Sequence, residues 1–124
     1  MSNYQLILPA ALLILTLATG LWLSKSGKPY STGIMTIHKL IALATCVFAG
    51  IALVTLIKTS APQTLVIGLI VLAGLSAVAL FATGAMMSIE KTLRPAWQTI
   101  HRVAPFLLTG SAAAAIWLLI KSHF

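Results

Sequence analysis

Acidic residues are almost absent from this sequence. Glu90 is the only one among 124 residues, set against eight lysines and arginines, for a net charge of +7. Proton- or cation-coupled membrane transport commonly relies on a carboxylate within a helix, and Glu90 falls between apolar segments, so a small multidrug or proton-coupled transporter is disfavoured. The same shortage removes the usual groups for acid–base catalysis, and no substrate pocket of a stand-alone enzyme can be read from the residues. Cysteine is equally scarce. Cys46 has no second thiol to meet, which excludes an intrachain disulfide or a thiolate cluster and leaves a small buried hydrophobe as its plain reading.

Against these absences stands a hydrophobic content of 60% and a mean hydropathy of +1.06, far outside the balance of a water-soluble domain. Residues 4–23, 34–57, 65–87 and 100–120 are apolar stretches, each long enough to cross a hydrocarbon layer that takes roughly 20 helical residues. The connections 24–33, 58–64 and 88–99 carry Pro29, Pro62 and Pro95, residues that favour turns. The expected fold is all-α: a four-helix transmembrane bundle, up-down-up-down, forming a single integral membrane domain over residues 1–124. The first stretch lacks a basic leader and is longer than a usual signal-peptide core, so it is expected to be retained as a helix.

The cations report topology. Lys25, Lys28, Lys39, Lys91, Arg94 and Arg102 gather at one set of helix ends, and only Lys58 and Lys121 at the other. The crowded side is expected to be cytoplasmic, with both termini outside. A basic balance of this kind is no sign of nucleic-acid binding. Trp22 and Trp97 near the inner boundary, and Tyr4, Trp117 and Phe124 near the outer one, read as interfacial anchors.

The chain also says one thing twice. Thr36-Ile37-His38-Lys39 returns as Thr99-Ile100-His101-Arg102, and Ala18-Thr19-Gly20 with Ser24 returns as Ala82-Thr83-Gly84 with Ser88, at a period of 63 or 64 residues. This is the mark of a tandem duplication of a two-helix hairpin, residues 1–60 and 65–124. An even number of helices per copy puts the pseudo-twofold axis along the membrane normal.

In such a bundle the second and fourth helices are parallel and diagonally opposed, so His38 and His101 are expected to face one another, level, about one turn in from the cytoplasmic end. Two opposed imidazoles suit a planar iron porphyrin, which accepts one axial ligand on each face. A lone histidine near a membrane surface would read as an interfacial side chain, but ionisable groups within membrane helices are costly and mostly functional. Gly20 and Gly84 sit at matching depth, where a flat group can approach a backbone without a Cβ in the way; helix packing is their competing role. Lys39, Arg102, Lys25 and Arg94 are candidates to neutralise two propionates at the cytoplasmic surface, with Ser24 and Ser88 adding hydrogen bonds. Topology alone also accounts for the cations. His123 has no counterpart in the first copy. Pro105, one turn beyond His101, replaces Ala42 of the first copy and is expected to bend the fourth helix.

With His38, His101, Gly20, Gly84 and their basic neighbours in this pattern, the chain resembles the four-helix b-type membrane cytochromes, the group of cytochrome b561-like and ferric-reductase-like cores. The resemblance implies one low-spin, six-coordinate haem b exchanging electrons on the cytoplasmic side with a quinone or a redox partner protein. It further implies an electron carrier, or a subunit of an oxidoreductase, in the cytoplasmic membrane. Many relatives of the b561 kind hold two haems on four histidines, whereas this chain offers the cytoplasmic pair alone. No CxxCH motif is present, so attachment would be non-covalent. The rival expectation is an accessory subunit of a larger membrane complex with no cofactor of its own.

Overall fold

The computed structural model describes residues 4–26, 31–59, 63–89 and 95–123. The chain is all-α over these residues: α1 (Tyr4–Ser26), α2 (Thr32–Thr59), α3 (Thr64–Ile89) and α4 (Pro95–His123), with no strand among them. All four are long and apolar enough to span a membrane, and the chain is a multi-pass membrane protein. Apolar side chains surround every helix. Phe106 is 80% exposed and Ile89 76%, which only a lipid environment makes favourable on this scale.

The helices outrun the apolar stretches that announce them, because interfacial serines and threonines keep the backbone ladder going after the hydrophobic run has ended. Ser31 starts α2: its carbonyl accepts from Met35 N at 2.9 Å and its hydroxyl from Ile34 N at 3.5 Å, the position and residue type of an N-cap. Pro95, expected in a turn, is instead the first residue of α4. Proline suits that place because its missing N–H is one that the first helical turn leaves unpaired in any case. Pro9 lies inside α1 and Pro105 inside α4, and both helices continue through them. Lys28, Pro29, Pro62, Glu90, Lys91, Arg94 and Phe124 lie outside the described residues.

The contacts divide the chain into two compact units, Met1–Leu56 and Ile57–Phe124, a cut close to the end of the first sequence repeat. Each unit is an antiparallel hairpin. In the first, Thr19 of α1 meets His38 of α2 and Thr16 meets Thr45, so the numbers fall on one helix as they rise on the other. In the second, α3 and α4 pack in the same sense, with Thr83 meeting His101. The repeat extends to burial. Ala52 and its equivalent Ala115 are both 0% exposed, and Leu56 and Leu119 are nearly as deep. Small residues at such seams let membrane helices approach closely, where dispersion and not water exclusion holds them.

In the first hairpin the two hydroxyls Thr16 Oγ1 and Thr45 Oγ1 lie 3.1 Å apart, and each also reaches a carbonyl of its own helix, Leu12 O at 2.8 Å and Ile41 O at 2.7 Å. Thr45→Val removes the interhelical bond and keeps the volume. It should destabilise the protein by about 0.6 kcal/mol and no more than roughly 2 kcal/mol, read from unfolding in mixed micelles, whereas Thr36→Val at an exposed position should leave the transition unmoved.

Candidate functional site

His38 is the seventh residue of α2 and His101 the seventh of α4. Both therefore sit nearly two turns inside their helices, at a distance of about 9 Å from the first residue on a rise of 1.5 Å. The expectation of one turn placed the helix starts too late, at the edge of the apolar run. Both imidazoles are half-buried.

Each histidine is held by the neighbouring helix of its own hairpin, and in the same manner. Thr19 Oγ1 lies 2.9 Å from His38 Nδ1, and Thr83 Oγ1 lies 2.9 Å from His101 Nδ1. The threonines are themselves anchored. Thr19 Oγ1 donates to Leu15 O at 2.9 Å and has Thr16 O at 3.0 Å; Thr83 Oγ1 donates to Ala79 O at 2.7 Å and has Leu80 O at 3.3 Å. Beside each threonine stands the glycine of the repeat. A methyl group built on Gly20 would lie 3.1 Å from His38 Cε1, and one on Gly84 would lie 3.2 Å from His101 Cε1. A Cβ at either point would press on the ring more tightly than ordinary contact, so the imidazole would have to give by a few tenths of an ångström.

The remaining site candidates divide by position. Lys39 and Arg102 follow the histidines and are exposed, and Lys25 is exposed in the last turn of α1, where a cation also complements the helix dipole. Arg94 lies outside the described residues. Ser24 is exposed near the end of α1, while Ser88 Oγ donates to Ala85 O at 2.9 Å. Cys46 is half-buried within α2 with no second cysteine in the chain.

Gly20 and Gly84 have a role that the sequence pattern alone does not reveal: they border the imidazoles of their own hairpins. Thr19 and Thr83 are the functional residues that sequence reasoning passed over. They were visible as the middle letter of the repeated Ala-Thr-Gly, but their meaning depends on the hairpin register that sets them opposite the histidines.

The two hairpins differ away from this point. An open apolar groove of about 430 Å³ runs between α3 and α4, with Ser76, Ala79 and Ala104 in its lining. The equivalent positions of the first repeat carry Leu12, Leu15 and Ile41, while Leu75 and Leu107 of the same lining stand where the first repeat has Ala11 and Ala44. Among the described residues no group of three or more His, Cys, Asp or Glu side chains converges.

Gly20→Ala and Gly84→Ala should each push an imidazole aside by a few tenths of an ångström, read as a change in the NMR signals of that histidine alone. Gly50→Ala, which meets nothing within 4 Å, serves as the control and should leave both histidines' signals unmoved. No protein-family model, curated protein or solved structure matches the chain, which leaves the twinned His–Thr–Gly geometry as the basis for assigning a function.

Proposed function

We propose that this chain is a membrane electron-transfer protein, a mono-haem b-type cytochrome with His38 and His101 as its two axial ligands. The observation that carries this reading is the duplication of one device. Each hairpin supplies one half-buried imidazole, engaged at Nδ1 by a threonine and bordered by a glycine, while the surrounding packing differs between the copies. Two equivalent neutral nitrogen donors, with no third ligand converging among the described residues, suit an iron whose four equatorial positions a porphyrin already fills. With Nδ1 taken up, ligation proceeds through Nε2, the usual division of labour in a metal-binding histidine.

The chain's own residues do the rest. Thr19 and Thr83 orient the rings, Gly20 and Gly84 allow the close approach, and the apolar helices keep water and ions away from the site. Lys39 and Arg102, with Lys25 and Arg94, supply cations for propionates at the side that the positive-inside rule assigns to the cytoplasm. That assignment puts both termini outside, in the cytoplasmic membrane. Held by His38 and His101, a haem would supply one-electron chemistry, and the partner for electron exchange would be a quinone or a redox partner protein.

An optical spectrum of the protein purified with haem supplied should show sharp α and β bands on reduction, unchanged by carbon monoxide. His38→Ala and His101→Ala should each abolish the six-coordinate spectrum, and a single variant that keeps haem should now bind carbon monoxide. The double variant should be colourless, and His123→Ala silent. Lys39→Ala and Arg102→Ala should lower haem retention less than either ligand change. A colourless wild type would leave an accessory subunit of a larger membrane complex as the surviving reading.

A further inference from the structure

A threonine hydroxyl has a single proton, and in this protein two threonines each have an acceptor for it on their own helix. Thr19 Oγ1 is 2.9 Å from the carbonyl of Leu15, and Thr83 Oγ1 is 2.7 Å from the carbonyl of Ala79. A carbonyl oxygen can only accept. These distances allow the hydroxyl proton to go either to the threonine's own helix, as in the back-bonded serines and threonines of other membrane helices, or to Nδ1; in the first arrangement the ring must be the donor. What the hydroxyl then turns toward the histidine is an oxygen lone pair, 2.9 Å from Nδ1 in both hairpins.

We propose that Thr19 and Thr83 are positioning residues that lock His38 and His101 in the Nδ1–H tautomer, placing the basic lone pair of each ring on Nε2. With the hydroxyl back-bonded, the opposite tautomer would set a nitrogen lone pair against an oxygen lone pair in a site of low dielectric, where an unmade hydrogen bond is most costly. The protein thus selects the minor tautomer of a free histidine side chain, the one whose Nε2 needs to shed no proton before it ligates. Two equivalent sites reach this result with the same residue types, although the carbonyl acceptors belong to different residues, Leu15 in one hairpin and Ala79 in the other.

The tautomer proposal rests on the hydrogen-bond geometry and not on haem; its consequence for iron rests on the cytochrome reading. A neutral oxygen accepting from Nδ1–H raises the basicity of the ligating nitrogen without making the ring anionic. That favours ferric over ferrous iron to a moderate degree. Removing the acceptor should raise the midpoint potential, and weaken haem binding by roughly ten- to a hundredfold, the usual effect of losing such a partner.

The test begins with the full chain expressed without haem, labelled with ¹⁵N at the imidazole nitrogens and held in micelles at a pH where the rings are neutral. Single His→Gln variants assign the signals. Both His38 and His101 should show a protonated Nδ1 and an unprotonated Nε2. Thr19→Val should shift His38 alone toward the Nε2–H form, and Thr83→Val should shift His101 alone. Thr19→Ser and Thr83→Ser, which keep the hydroxyl, should restore the original pattern. An Nε2–H signal in the wild type, or valine variants with unchanged signals, would overturn the proposal. The haem-loaded chain then gives the second readout: an upward shift of midpoint potential in each valine variant, reversed in each serine variant. Wild-type chain with the expected tautomers but no affinity for haem would sink the cytochrome reading and leave the tautomer lock standing. Bound haem with the opposite tautomers would do the reverse.

Discussion

A polar ring half-buried in an apolar hairpin needs a hydrogen-bond partner from the protein, and this constraint organises the site. An imidazole must find its partner within the protein, and here the partner on the adjacent helix is a threonine whose oxygen is 2.9 Å away. The threonine is satisfied in turn by its own helix. The result is a short relay from backbone carbonyl to hydroxyl to ring, in which every donor has an acceptor. That relay requires the two helices to lie close, and the glycine next to each threonine removes the side chain that would hold them apart. Thr-Gly is thus a single functional unit, with one residue to bond the ring and one to make room for it.

Around that unit the two hairpins have solved their packing differently. The first carries a hydroxyl pair, Thr16 and Thr45, across its helices, where the second has Leu80 and Leu108. The second instead buries Ser76 and Ser111, each bonded back to its own helix, to Leu72 O and Leu107 O. Such substitutions exchange one modest interhelical hydrogen bond for dispersion contacts of similar worth. They change the interior without touching the rings. Membrane hairpins tolerate this freely because lipid competes with protein for apolar contact on nearly equal terms.

Composition and periodicity made the helices legible in the sequence, along with the duplication and the pair of histidines. The helix ends were less legible, for a physical reason. Hydropathy tracks the hydrocarbon layer, while hydrogen bonding carries a helix past it, so α4 begins at Pro95 and not at Ile100. The histidines' immediate surroundings were half visible. Gly20 and Gly84 stood out by their repetition, yet their contact is with an imidazole edge, which no spacing within one helix reveals. Thr19 and Thr83 were spelled out in both copies. Their meaning lies in the pairing of two helices, a relation that only the folded hairpin displays.

The completeness of each hairpin bears on biogenesis. Every group that holds His38 lies between Leu15 and His38, so the setting of the first ring is finished once α1 and α2 are in the membrane. Translation of α3 and α4 adds a second finished setting to the first. On the cytochrome reading, a ring prepared in advance would lose little orientational freedom when haem arrives. Insertion of the nascent chain, hairpin by hairpin, thereby doubles as the stepwise preparation of the site.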